Sequence, residues 1–102
     1  MIDVISINAD VEFGDSAPKF KVLINNSAFK EVCISFKKGQ ELKDHSSASP
    51  IIVQVIKGMV NFGVDSHEYC LKEGMLITLD AKIVHKVYAL QESIIRLSIS
   101  KN

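Results

Sequence analysis

The sequence predicts an all-β fold, a barrel or sandwich of short antiparallel strands. Runs of about 4–8 residues with alternating apolar and polar side chains recur along the chain. Turn residues separate these runs roughly every 8–12 residues, a spacing typical of all-β domains. No segment has the apolar periodicity of an amphipathic helix. Together these observations predict a protein made almost entirely of strands and turns.

The length of 102 residues predicts one domain, spanning residues 1–102. Residues 1–19 are expected to form an N-terminal strand or loop extension, because Gly14, Ser16 and Pro18 interrupt any apolar pattern. The barrel is expected to occupy residues 20–102. Hydrophobic residues make up 47% of the chain, which is enough to fill the interior of such a domain.

The first clear strands have different patterns. Phe29 to Phe36 alternates, with Val32 and Ile34 on one face, and this predicts a half-buried strand. Ile51 to Ile56 is β-branched at five of its six positions, which favours a strand covered on both faces. A glycine, Gly58, ends this second strand.

The second half of the chain is predicted to continue as hairpins. Met59 to Val64 alternates, and Asp65-Ser66 makes a tight turn into a returning strand. Glycine at position 74 turns the chain again. The remaining predicted strands are His67 to Leu71, Met75 to Leu79, Val84 to Leu90 and Ser93 to Ile99.

Charge and composition argue against two classes of partner. Basic and acidic residues number 12 each, and Arg96 is the single arginine, so no basic field is present to bind nucleic acid. No run approaches the ~18 apolar residues of a membrane-spanning helix. The N-terminal residues lack the pattern of a signal peptide, and we expect a cytoplasmic protein.

Cys33 and Cys70 have no CxxC spacing and are expected to be reduced and buried.

Two glycine-led segments each end in a histidine. The first runs from Gly39 to His45 and is followed by the strand that stops at Gly58, and the second runs from Gly74 to His85. From Lys38 to Ile99 the chain therefore resembles a small single-domain cupin. This resemblance implies a double-stranded β-helix, also called a jelly-roll barrel, and it brings the two histidines into one pocket.

The resemblance does not extend to all of the metal-ligand positions. Metal-binding cupins hold a divalent ion with three histidines and a glutamate; here Ser47 stands at the second histidine position and Ile51 at the glutamate position. Asp80, Lys82 and Ala89 also depart from the second motif. A catalytic metal normally needs about three protein ligands. His45 and His85 remain as candidate metal ligands, and we expect no firmly held cofactor, at most a weakly bound Zn²⁺, Ni²⁺, Fe²⁺ or Mn²⁺.

The predicted pocket combines the two imidazoles with apolar walls. Strand alternation directs His85 and Val87 into the barrel, whereas His67 follows a hairpin turn and is expected at the surface. The predicted ligand-binding residues are His45, Ser47, Ile51, Val53, His85 and Val87.

Three functions remain open from the sequence. The first is binding of a small molecule of unidentified structure in the barrel. The second is a metal-dependent enzyme of the isomerase or dioxygenase type, using His45 and His85 with nonstandard ligands. The third is a structural or regulatory dimer with a vestigial pocket. No Ser-His-Asp order, phosphate-binding loop or dinucleotide motif supports another chemistry.

The outward face of the strand that starts at Ile51 predicts a partner. It carries Ile52, Gln54 and Ile56, and a monomer would expose its two isoleucines to water. We expect a homodimer in which the Ile52/Ile56 face of each subunit contacts that of its partner.

Overall fold

The structure, a computed structural model, describes residues 2–101. It contains nine strands joined by turns and loops, and these residues include no helix. The all-β prediction is therefore confirmed. The strands are β1 (Lys19–Asn25), β2 (Phe29–Phe36), β3 (Glu41–His45), β4 (Ile51–Lys57), β5 (Met59–Val64), β6 (His67–Lys72), β7 (Leu76–Leu79), β8 (His85–Ala89) and β9 (Ser93–Ser100).

The strands form two antiparallel sheets. The five-stranded sheet has the order β1-β2-β9-β4-β7, and the four-stranded sheet has the order β3-β8-β5-β6. Consecutive strands often lie in different sheets: β2 leads into β3, β4 into β5, β6 into β7, and β8 into β9. The chain therefore winds back and forth between the two layers, as the jelly-roll prediction requires.

The inward faces of both sheets share one apolar core. Alternation sets this pattern: in β4 the first, third and fifth residues are buried, and in β8 the same positions are buried. Some residues of the core, such as Phe36 and Val60, are completely shielded from solvent. The core cluster consists of Val32, Ile34, Phe36, Ile51, Val53, Val55, Val60, Phe62, Leu71, Leu79, Val87, Ala89 and Ile95.

The prediction of a half-buried β2 is wrong. All residues from Glu31 to Phe36 are buried, on both faces of the strand. The outer face is covered because the N-terminal segment crosses it, and the Ser35 hydroxyl donates a hydrogen bond to the carbonyl of Glu12 at 2.6 Å. Residues 2–18, which belong to the extension expected to be strand or loop, contain no strand.

The prediction that β4 is covered on both faces is also wrong for the subunit alone. Ile51, Val53 and Val55 are buried, but Ile52 remains 45% exposed. Ile56, on the same outer face, is only partly exposed because Ile5 and Ile7 of the N-terminal segment lie beside it. The chain's own extension thus covers one part of the face and leaves the other part open.

The predicted turns have the required backbone geometry. Gly58 and Gly74 have φ angles of +89° and +86°, and Asp65 at the β5–β6 hairpin has +55°. Both cysteines are free, in agreement with the prediction. Cys33 is buried, but the prediction that Cys70 is buried is wrong: it lies on the outward face of edge strand β6 and is exposed.

Candidate functional site

His45 and His85 meet at one end of the barrel. His45 ends β3, His85 begins β8, and the two residues are direct partners across an irregularity in the strand pairing. Their ring centroids are 4.2 Å apart, with an interplanar angle of 62°, so one imidazole directs its edge toward the other. This is the pairing that the two glycine-led segments predicted. We call this end of the barrel the histidine end.

His85 is packed on one side by an aromatic ring. Its imidazole stacks on Phe62, with centroids 5.1 Å apart and planes inclined by 14°. Only 4% of His85 is exposed, whereas His45 lies at the surface. The pair therefore extends from the buried core, at His85, to the protein surface, at His45.

Main-chain carbonyls determine the tautomers of both rings. Nδ1 of His85 lies 3.0 Å from the carbonyl oxygen of Ile83, and Nδ1 of His45 lies 2.8 Å from that of Lys43. A carbonyl oxygen can only accept a hydrogen bond, so each Nδ1 carries the proton. In the neutral state of each ring, Nε2 consequently keeps its lone pair and acts as an acceptor.

Burial also favours the neutral form of His85. Desolvation lowers the pKa of this imidazole below its usual value of about 6.5, and the neighbouring His45 lowers it further, while the hydrogen bond to Ile83 acts in the opposite direction. At neutral pH the buried member of the pair is uncharged.

The other predicted pocket residues occupy three different environments. Val87 follows His85 on the inward face of β8, while Ile51 and Val53 face it from β4 in the opposite sheet. All three are buried members of the core and form apolar walls. Ser47 is partly buried, and its hydroxyl oxygen accepts a hydrogen bond from the Ser49 amide at 3.2 Å.

A crevice between the sheet edges adjoins these walls. It has a volume of about 360 Å³ and lies between edge strands β6 and β7. We call it the sheet-edge crevice. It is lined by Val64, Tyr69, Leu71, Leu76, Ile77, Thr78 and Leu79.

Strand pairing places the sheet-edge crevice one strand away from the predicted pocket on both sheets. Val64 is the direct partner of His85 in the four-stranded sheet. In the other sheet, Leu79 pairs with Ile51. Partners across an antiparallel ladder have Cβ atoms about 4.5–5.5 Å apart, so the predicted pocket residues lie next to the lining of the crevice without being part of it. Sequence reasoning missed the crevice because it depends on which strands lie at the edges.

The third histidine lies on the same row of strand positions. His67 pairs with Val64, which in turn pairs with His85. Paired residues project to the same side of a sheet, so His67 is at the histidine end, although it is exposed as predicted. The β5–β6 hairpin register is the signal in the sequence that could have indicated this position.

The side chains present do not fit the usual four-ligand metal site of metal-binding cupins. Ile51 supplies a hydrocarbon at the glutamate position, and Ser47 supplies a hydroxyl that is already hydrogen-bonded. Across residues 2–101, no group of three or more histidine, cysteine, aspartate or glutamate side chains is placed to hold a metal ion. Two imidazoles alone form an incomplete ligand set.

The pKa of His85 leads to a prediction about stability. Because its pKa is lower in the folded protein than in the unfolded chain, the unfolded state binds the proton more readily. The free energy of unfolding should therefore fall as pH decreases from about 6.5 toward the folded-state pKa. His85→Phe keeps a ring against Phe62 but does not titrate. Urea unfolding at pH 7.5 and 5.0 should show a larger loss for wild type than for this variant, and equal losses would contradict the assignment.

Comparison with solved structures identifies the architecture. An RmlC-like cupin protein from Desulfovibrio desulfuricans superposes with a TM-score of 0.93 at 22% identity, covering 99% of this chain and 98% of that chain. A conserved protein of unknown function from Streptococcus pyogenes has a TM-score of 0.84 at 24% identity, covering 100% and 90%. A double-stranded β-helix protein from Klebsiella pneumoniae has a TM-score of 0.88 at 17% identity, covering 99% and 91%.

These similarities concern the fold, which is the cupin double-stranded β-helix predicted from the sequence. No protein-family model matches the chain, and no curated protein sequence matches it. Within residues 2–101, no helix is long and apolar enough to cross a membrane.

Proposed function

We propose that this cupin-fold protein binds a small molecule at the histidine end of its barrel. The observation that carries this proposal is the contact between His45 and His85, whose rings are 4.2 Å apart at the edge of an otherwise apolar interior. Ligand sites typically combine mainly apolar walls with a few polar groups that fix orientation. Here the sheet-edge crevice supplies the walls, and the imidazoles supply the polar groups.

A binding experiment tests this function. We expect small monocyclic compounds to shift the backbone amide NMR signals of Val64, Ile77, Leu79 and His85, because these residues surround the crevice and the pair. Cys33→Ser changes a different cavity, beneath the N-terminal segment, and should leave these shifts unchanged. Absence of shifts at these four residues for every compound at millimolar concentration would contradict the proposal.

The alternative is a metal-dependent cupin enzyme that uses His45 and His85. The two Nε2 atoms favour this alternative, because each carries the lone pair that a metal ion would require. We propose that two imidazoles hold such an ion only weakly. Purified protein should then contain well below one equivalent of divalent metal, and its melting temperature should be the same with and without chelator. Stoichiometric metal that survives dialysis against chelator would support the enzyme instead.

We also propose that two copies associate through the Ile52/Ile56 face. Ile52 is 45% exposed, and Phe29 and Leu76 expose further apolar surface on the same sheet. A twofold interface would bury the same patch on both subunits. The proposed contact lies around Ile52, in the part of the face that the N-terminal segment leaves open.

Charges at this face should separate the subunits. Changing Ile52 to lysine places a cation in the part of the face that the N-terminal segment leaves open, and sedimentation at micromolar concentration should then show monomer or insoluble protein. Tyr88→Lys is the matched control, since Tyr88 is 43% exposed on the outer face of the other sheet. A wild-type protein that sediments as a monomer would refute the proposed dimer.

A further inference from the structure

We propose that the histidine pair accepts a hydrogen bond from a neutral hydroxyl group, an alcohol or a phenol, whose apolar body occupies the sheet-edge crevice. The inference rests on the proposed function, since it names the class of ligand for the same site. It follows from the protonation of the two rings, the accessibility of one nitrogen, and the charge and size of the crevice.

The rings are arranged as acceptors. Both Nδ1 atoms are committed to main-chain carbonyl oxygens, those of Lys43 and Ile83. The only ring nitrogen left on each neutral imidazole is an Nε2 that carries a lone pair and no hydrogen. A ligand that reaches His85 must therefore supply the donor.

His85 is 4% exposed, so its side chain is nearly but not completely shielded from solvent. Within residues 2–101, every buried side-chain nitrogen or oxygen has a hydrogen-bond partner. In the His85 ring, Nδ1 makes the hydrogen bond, and Nε2 has no hydrogen-bond partner among these residues. Nε2 of His85 is therefore not one of the fully buried atoms, and it is an acceptor that retains some contact with solvent.

The electrostatic surroundings favour a neutral donor over an anion. The seven side chains that line the sheet-edge crevice are all uncharged. Burial and His45 both lower the pKa of His85, so no imidazolium is present there at neutral pH to pair with a carboxylate. A carboxylate would place its negative charge against a nitrogen lone pair and lose its hydration without compensation. A hydroxyl group loses less hydration and donates directly to the lone pair.

The size of the crevice limits the apolar body. A cavity of roughly 150 Å³ accommodates benzene. The sheet-edge crevice, at about 360 Å³, can therefore hold one six-membered ring with short substituents. Tyr69 and Thr78 are the polar side chains in its lining, and both residues are exposed. The interior part of the ligand is thus required to be hydrocarbon, and its hydroxyl group should lie toward His85.

Three probes of one shape isolate the hydroxyl contribution. Toluene, 4-methylphenol and 4-methylbenzoate share a methyl-substituted ring and differ at one position. Their affinities can be measured at pH 7.5 by NMR titration of the wild-type protein. A neutral hydrogen bond is worth about 1 kcal/mol, so 4-methylphenol should bind about fivefold more tightly than toluene. The carboxylate should bind more weakly than both.

Variants assign the preference to the imidazole. His85→Phe keeps an aromatic ring against Phe62 and removes Nε2, so the fivefold preference for 4-methylphenol over toluene should disappear. Cys33→Ser, in the separate cavity, should retain the preference. Far-ultraviolet circular dichroism of each variant checks that the barrel is intact before binding is compared.

The outcomes separate this inference from the proposed function. Equal binding of toluene and 4-methylphenol would overturn the hydroxyl assignment and leave a small-molecule site in place. Tighter binding of 4-methylbenzoate would also overturn it, since it would require a cation at the pair. A preference that survives in His85→Phe would do the same. Failure of all three probes to bind would overturn both the inference and the proposed function.

Discussion

Gly58→Ala should destabilise the fold by more than about 3 kcal/mol, whereas Gly74→Ala should cost only about 1–2 kcal/mol. Both glycines adopt positive φ angles, +89° and +86°, so both substitutions incur the same backbone strain. They differ in their surroundings. A Cβ atom at Gly58 would overlap the Ser93 hydroxyl oxygen and the Glu92 carbonyl oxygen, but nothing lies within 4 Å of a Cβ atom at Gly74.

The environment of Gly58 explains why the overlap cannot be relieved without a large loss of folding stability. Ser93 is fully buried, and its hydroxyl accepts a hydrogen bond from the Met59 amide at 3.0 Å and donates to the Gln91 carbonyl at 2.8 Å. Displacing it would break the contacts that join the β4–β5 turn to the start of β9. Urea unfolding of both variants measures the difference. Similar losses of stability at the two positions would contradict the close approach of these segments.

Ser47→His combined with Ile51→Glu should raise Zn²⁺ affinity at least 100-fold. These changes restore two missing ligands of the cupin pattern, and loss of even a partner behind the ligands typically costs ~10–100-fold. Ile51 is 3% exposed, so the new carboxylate would be buried and the metal-free variant should be less stable by about 1–3 kcal/mol or more. Added Zn²⁺ should recover that stability, because it binds only the folded form.

Competition with a chromophoric chelator measures this affinity. Ser47→His alone is the matched control and should give a smaller gain, since the buried hydrocarbon of Ile51 remains beside the site. Adding His85→Phe to the double variant should remove most of the gain. An affinity unchanged from wild type in the double variant would mean that positions 47 and 51 do not converge on the histidine pair.

Local patterns were sufficient to predict the framework of the fold. Alternation predicted β5, β8 and β9 to within a residue or so, and positive φ angles confirm the turns at Gly58 and Gly74. The meeting of His45 and His85 followed from their matching positions in two similar segments, and a centroid distance of 4.2 Å confirms it. These features depend on residues close in sequence or on a repeated module.

Features that depend on the neighbours of a strand were not predicted. The outer face of β2 is buried because a segment more than 20 residues away crosses it, with Ser35 bonded to Glu12. Cys70 is exposed because it lies on the outward face of the four-stranded sheet. The sheet-edge crevice arises in the same way, from the approach of β6 and β7. Which strands are central and which are at an edge follows from the pairing of the whole chain.

The central claim, that the histidine end holds a small neutral ligand, is tested most directly by a crystal structure with 4-methylphenol. We expect the ring of the ligand to lie against Val64 and Leu79, with its hydroxyl oxygen within hydrogen-bonding distance, about 2.7–3.2 Å, of Nε2 of His85. A metal ion bound to both imidazoles, or a ligand found only outside the histidine end, would contradict it.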